Sequence, residues 1–333
     1  MKQKTRFQKF IKHFKKDWQL YLLALIPMVH LLVFTYGPMY GIQLSFRDFT
    51  LTGGTTNSEW VGLKWFEDFL TDPKFMRIFM NTIILSLYSL VTFPLPIIMA
   101  LILNAMKLKR YKKVVQTVSY LPHFISTTVF IGIINMVLSP VYGIYGSGYR
   151  LVLDIINGAV NCINTVFGSN IGFLNLSEFP PDFKATAEAF RHLYVWSGVW
   201  QGLGWSTILY TSALSSVSPE LHEAASIDGA SRFKRIIHVD LPAIMPTVGI
   251  MFVMRVGHLV GVGFEKAYLL QSNINKSTSE VISTYVYRKG MDNFKNFSYG
   301  SAVGLFNTLI NLALVLIANR ISKRISEGEV SLF

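Results

Sequence analysis

Cysteine is nearly missing from this sequence. Cys162 stands alone among 333 residues, so the chain builds neither an internal disulfide nor a cysteine-based metal site. Charge is also scarce. Only 15% of the residues are charged while 51% are hydrophobic, and the mean hydropathy of +0.39 is too high for a soluble domain of ordinary size. Acids are the scarcer sign, 19 against 31 Lys and Arg, which leaves a formal net charge of +12. Nucleic-acid binding would need those basic residues interleaved with polar and aromatic ones on a folded face. Here they sit in short blocks between apolar runs. No Gly-rich loop is followed by Lys and then Ser or Thr. The segment Gly143 to Gly148 (GIYGSG) lacks them, which excludes a phosphate-binding loop. The longest stretch between apolar runs, about Ser139 to His192, leaves no room for a separate catalytic domain.

Apolar runs are what the chain has in quantity. Stretches long enough to cross a hydrocarbon core of roughly 30 Å lie at about residues 19–40, 79–106, 114–138, 193–217, 246–270 and 299–319, which makes about six spans. Backbone groups in lipid must be paired internally, and no alternating barrel pattern is visible, so the spans are expected to be helices. The expected fold class is all-α, a polytopic membrane helical bundle. A basic N-terminus, 1–18, precedes a first run that lacks a small-residue cleavage site and continues past Pro27 to about Thr35. That is too long for a signal-peptide core, so the first helix is expected to be retained. The transmembrane region then covers 19–320, and 321–333 is a tail.

Lys and Arg set the orientation. They crowd the N-terminus, the segment Lys107 to Lys113, the segment Arg232 to Arg235 and the segment Arg320 to Arg324, and are sparser in the intervening segments. An even number of spans with both termini cytoplasmic agrees with that bias. Residues 151–168 are apolar enough to suggest a seventh span, but Asp154, Asn157, Asn161 and Asn164 put a polar stripe on one helical face. An amphipathic helix on the outer surface, within an extracellular loop 139–192, fits better. Pro94 and Pro96 interrupt the second span and Pro122 lies in the third, where each removes a backbone donor.

Between the fourth and fifth spans stands a more specific pattern, in a loop 219–243. Pro219 suits the first turn of a helix, and Glu220 and Glu223 favour its positive end. Gly229 is where the chain is expected to leave that helix. Phe233, Ile236 and Ile237 then begin a second apolar stripe, expected to end at Pro242. Such an element is too polar to insert and too short to fold alone, so it should dock on a partner.

The run Glu223-Ala224-Ala225, then Asp228-Gly229-Ala230, then Leu241-Pro242, resembles the EAA signature of permease subunits of binding-protein-dependent ABC importers. The resemblance implies the type I, MetI-like permease fold. It also implies that Glu223, Ala224, Ala225, Asp228, Gly229, Ala230, Phe233 and Pro242 form a coupling element docking a separate ATPase. Trp18 to Leu22, Tyr36 to Gly41, Val61 to Phe66, Asn81-Thr82, Tyr120 to Ser126 and Ser283 to Gly290 are similar to the carbohydrate branch, close to lipoprotein and complex-polysaccharide permeases and the larger maltose permease subunit. What this implies is half of a path for a sugar or oligosaccharide in the bacterial cytoplasmic membrane. The implied partners are a second homologous permease, two ATP-binding subunits, an extracellular solute-binding protein and membrane lipid, with no nucleic acid. No cofactor is expected on this chain, and ATP and magnesium belong to the partner ATPase.

Candidates for the path come from the fourth and fifth spans. Arg255, His258, Val262 and Glu265 follow helical intervals, and an ionisable group inside a membrane should face a partner or a wet cavity. They line a pathway, or Arg255 and Glu265 belong to structural ion pairs. Gly257 and Gly261 are spaced for a close helix approach. In the fourth span Ser197, Gln201 and Gly204 share a face, with Trp196 and Trp200 beside it. Trp196 reads as an interfacial anchor, whereas Trp200 offers an apolar face for a sugar ring. The alternatives are an ABC permease for peptides or amino acids, a membrane enzyme built on Arg255, His258 and Glu265, and a secondary transporter. The last would show internal repeats, which are not visible here.

Overall fold

The computed structural model describes residues 16–168, 180–257, 259, 261–292 and 296–325. His258 lies outside the described residues. The chain divides into two compact units. One comprises Met1–Thr71 with Arg288–Phe306, the other Asp72–Tyr287 with Asn307–Phe333.

In the first unit, α1 runs from Trp18 to Phe46, and none of its side chains is buried before Ser45. Exposed Leu23, Ile26 and Phe34 are what a lipid-facing helix presents. A short antiparallel pair follows, β1 (Arg47–Asp48) with β2 (Glu59–Trp60), in which Arg47 stands opposite Trp60. Helix α2 (Lys64–Thr71) buries Trp65 and Phe69, four residues apart on one face. Phe69 meets Tyr299 and Phe306 edge-on, and Ser45 Oγ lies 2.9 Å from Ser301 Oγ.

The second unit holds α3 (Phe75–Val91), α4 (Pro94–Ala105), α5 (Lys109–Tyr120), α6 (Thr127–Val137), α7 (Ile144–Phe167), α8 (Ala189–Ser215), α9 (Pro219–Ile227), α10 (Arg232–Gly257), α11 (Phe264–Leu270) and α12 (Ile282–Tyr287). The last helix, α13 (Phe297–Ile325), begins in the first unit and ends in the second. Pro94 starts α4, where its missing N–H costs nothing, so α3 and α4 together make one apolar segment, Phe75–Ala105. Among the described residues four helical segments are long and apolar enough to cross a membrane: α1, α3 with α4, α10, and Phe297–Arg320 of α13. A fifth arises if α5 and α6 are one broken span. Helix α8 is long enough, about 40 Å at 1.5 Å per residue, but its Ser, Gly and Gln residues make it less apolar than those four.

Three expectations need correction. The run 114–138 is not one helix. After Pro122 the chain bends by 106°, and Ser126 caps a new helix, its Oγ accepting from Val129 N–H. The stripe that begins at Phe233 does not stop at Pro242 but continues to Gly257. A π turn over Ile236–Asp240 precedes the proline and takes up the lost donor and the ring clash. The run 246–270 breaks at Gly257, so Arg255 and Glu265 sit on separate helices, and Gly261 lies outside any helix.

Among the described residues, three clusters hold the second unit together. Phe130, Ile131 and Ile134 of α6 pack with Leu85, Phe190, Val195, Ala267 and Leu270. Ile97 and Ala100 of α4 meet Tyr210 and Leu214 of α8 and Ile244 of α10. Val253 and Val256 of α10 meet Ala318 of α13. In lipid the gain is close packing rather than escape from water. A polar clamp ties α3 to the segment before α12. Asn81 Nδ2 donates to the Ser277 and Glu280 carbonyls at 2.8 and 3.2 Å, Arg191 donates to Asn81 Oδ1, and Arg77 pairs with Glu280, only 2% exposed, at 3.1 Å.

Candidate functional site

The turn between α9 and α10 is defined by its caps. Ser218 Oγ accepts from Glu220 N–H at 3.2 Å and Pro219 takes the first helical position. At the other end Gly229 has φ +74, the Ala230 N–H reaches back to the Ala225 carbonyl at 2.9 Å, and the Gly229 N–H reaches Ser226 at 3.2 Å. That pair of bonds is a Schellman motif, which requires a left-handed residue at this point. Ser231 then caps α10 by accepting from Lys234 N–H. Glu223, Ala224, Asp228 and Gly229 are exposed, and Ala225 and Ala230 half-buried. Ile227 and Phe233 are 86% and 70% exposed. Pro242 stands inside α10, away from the turn.

The underside of the turn holds residues that the sequence reading missed. Asp240, 4% exposed, has its Oδ1 3.3 Å from His222 Nε2 of α9 and accepts from Asn104 Nδ2 of α4 at 3.2 Å. One carboxylate thus links α9, α10 and α4. The available signal was a lone acid after the basic block Arg232 to Arg235, directly before an apolar run.

Deeper in the same unit lies a cavity of about 550 Å³. It is lined by Ser89 of α3, the start of α4, one face of α8 from Tyr194 through Gly198 and Gly202, Met251, Met254 and Arg255 of α10, and Lys266 of α11. Lys266 Nζ donates to the Tyr194 carbonyl at 2.6 Å and lies 4.7 Å from the centre of its ring. A Cβ on Gly198 would come within 2.7 Å of that ammonium, so glycine is what admits the cation to the helix surface. Arg255 donates to the Ser89 carbonyl at 3.4 Å.

Of the path candidates among the described residues, Arg255 lines this cavity, and Ser197, Trp200, Gln201 and Glu265 have different surroundings. Ser197 Oγ donates to the Tyr194 carbonyl, and Gln201 Nε2 donates to the Ile125 carbonyl at the break between α5 and α6. Trp200 lies on Phe130 with ring centres 5.1 Å apart. Glu265 accepts from Thr128 Oγ1 at 2.9 Å, and among the described residues it makes no ion pair with Arg255. The face of α8 that meets the cavity is therefore the glycine face behind the polar one. Trp205, Ser206 and Tyr210 of α8 and Lys266 of α11 were not singled out from sequence; for Lys266 the available signal was the cluster Gly257, Gly261 and Gly263, which breaks the helix before α11. Among the described residues no group of three or more His, Cys, Asp or Glu is placed to hold a metal ion.

A capped, exposed turn thus joins α9 to α10, one of the helices long and apolar enough to cross a membrane. Residues 79–327 match the family described as binding-protein-dependent transport system inner membrane component. The chain belongs to this family. It is a multi-pass membrane transport subunit and not an enzyme. It is 36% identical over 315 residues to Protein LplB of Bacillus subtilis, covering 94% of this chain and 91% of that one. It is 37% identical over 328 residues to the polygalacturonan/rhamnogalacturonan transport system permease protein YteP of the same organism, covering 98% and 94%. Among solved structures it superposes on a bacterial ABC transporter involved in import of the acidic polysaccharide alginate, with a TM-score of 0.76 and 34% identity over 95% of this chain and 99% of that one. The same transporter in complex with a periplasmic protein bound to an alginate pentasaccharide gives the same TM-score.

Proposed function

We propose that this chain forms half of the translocation path of an ATP-driven importer for sugars or oligosaccharides. Its partners are a second homologous permease, two ATP-binding subunits and an extracellular solute-binding protein. ATP and magnesium are held by the ATPase chains, and both termini of this chain face the cytoplasm. The turn 219–243, with Glu223, Ala224, Ala225, Asp228, Gly229, Ala230 and Phe233, docks the ATPase. The loop 139–192, with helix α7, faces outward. Sugar import is supported by what the relatives and the structural neighbour carry, and it accounts for the cavity, whose volume is on the scale of small-molecule sites.

The observation that carries the reading is the exposed Schellman turn. Ile227 and Phe233 are large apolar side chains held in solvent by a rigid, fully capped backbone, and Asp240 fixes that backbone to two long helices. Closure of the ATPase dimer would move α9, and the motion would reach α4 and α10, both of which line the cavity. The test is reconstitution in liposomes of this subunit alone, then with the second permease, the ATPase and the binding protein. ATP-dependent sugar uptake is expected only from the full assembly. Equal uptake by the lone chain would remove the reading.

A further inference from the structure

The cavity carries two cations and no acid. Arg255 and Lys266 both line it, no Asp or Glu does, and among the described residues neither cation forms an ion pair. Two basic side chains facing one space disfavour each other's charge, with Lys266 half-buried and Arg255 exposed to the cavity. A carbonyl bond to Ser89 at 3.4 Å and one to Tyr194 at 2.6 Å engage only part of their donors, of which Arg has five and Lys three. Glu265, the acid adjacent in sequence to Lys266, is turned to Thr128 instead. The cost of keeping two like charges together is offset when an anion enters between them. Aromatic surface stands beside the charges. Trp205 lines the cavity, 47% exposed, with one face of its ring stacked on His123 at 4.5 Å between centres. Its other face suits the apolar face of a pyranose.

We infer that, within the importer proposed above, the path selects anionic oligosaccharides, with a carboxylate or sulfate ester on the sugar seated between Arg255 and Lys266. The inference rests on that reading for the sugar and on the cavity's charge for the anion. A planar guanidinium binds either group through two parallel hydrogen bonds, and the lysine adds a point charge.

The experiment uses the assembled importer in nanodiscs without the binding protein, so that the binding protein's own selectivity does not enter. Fluorescently labelled tetragalacturonate, its fully methyl-esterified form and a sulfated tetrasaccharide of equal length are titrated by equilibrium binding. The acid is expected to bind at least about tenfold tighter than the ester, a preference corresponding to one charge-assisted contact, and the gap should shrink as salt is raised. Sulfated and carboxylated sugars binding alike would make charge the recognised feature, and a carboxylate preference would assign the narrower ligand. Arg255→Gln and Lys266→Gln should each collapse the acid-to-ester ratio. The wild-type comparison of acid with ester stands even if a variant fails to assemble. Equal binding of acid and ester by the wild type overturns the inference. If that assembly, given its binding protein, still drives uptake of a neutral oligosaccharide, the importer reading survives. If it drives uptake of no sugar, both fall.

Discussion

The capped turn at 219–235 and the cavity are built in opposite ways. The capping bonds that shape the turn join residues within a few positions of each other, Ser218 to Glu220, Ala225 to Ala230, Ser231 to Lys234. The cavity depends on packing across the unit, with Ser89, Tyr194, Arg255 and Lys266 arriving from α3, α8, α10 and α11. The turn is exposed and rigid. The cavity is lined by helices that, in the proposed importer, have to move. A machine that receives force at one place and opens at another needs this division, because a soft docking point would absorb the motion and a rigid cavity would not respond.

The largest effect should come from breaking the turn. Gly229→Val puts a β-branched residue at φ +74, a conformation that costs an L-residue roughly 1–2 kcal/mol, although no atom lies within 4 Å of the new Cβ. Uptake coupled to ATP hydrolysis should be lost while the helical content of the purified subunit stays unchanged. Normal coupled uptake would show that the turn carries no force. Next, Asp240→Ala leaves His222 and Asn104 without their shared acceptor. A buried hydrogen bond to a charged group is worth about 1.5–3 kcal/mol, so the purified assembly should melt several degrees lower and hydrolyse ATP with less uptake per turnover.

Two milder substitutions sharpen the contrast. Phe233→Ala removes an exposed ring, so the melting temperature of this chain should stay within about a degree or two, as for surface substitutions in general. Affinity for the ATPase, measured by titration against the permease pair, should nevertheless fall about tenfold, as at an interface anchor. Gly198→Ala is expected to have the smallest effect on folding, since the atom its Cβ meets is the free end of Lys266. It should displace that ammonium, lowering the preference for acidic over esterified sugar while leaving ATPase docking unchanged. Loss of ATPase docking in that variant would mean that the two regions are not separable.

How much was legible in the sequence follows the same division. The helix–turn–helix at 219–235 could be read because caps and left-handed glycines are local chemistry, written in order along the chain. Helix existence was also legible, from apolar run length. Breaks were less so. Pro122 hinted at the bend before α6. Nothing local announces that α11 turns toward α8, but Gly257, Gly261 and Gly263 were a sign of the stop of α10 that was read as close helix packing instead. That error grouped Arg255 with Glu265 when the structure groups Arg255 with Lys266. Proline misled in the other direction, since a π turn let α10 pass through Pro242. The linking role of Asp240 required knowing that Asn104 and His222, far apart in sequence, meet at one carboxylate.

Docking of the ATPase at the turn around Gly229 can be tested directly. Cys162 is exposed on α7 and is the chain's only cysteine, so Cys162→Ser yields a background in which one thiol can be placed at will. In that background Glu223→Cys puts a thiol on the exposed face of α9. The measurement is cross-linking of the reconstituted assembly with a short bifunctional maleimide, with the native Cys162 protein as the opposite-face control. A product is expected between the thiol at position 223 and the ATPase subunit, and none between Cys162 and that subunit. A product from Cys162 with the ATPase, and none from position 223, would contradict docking at the turn.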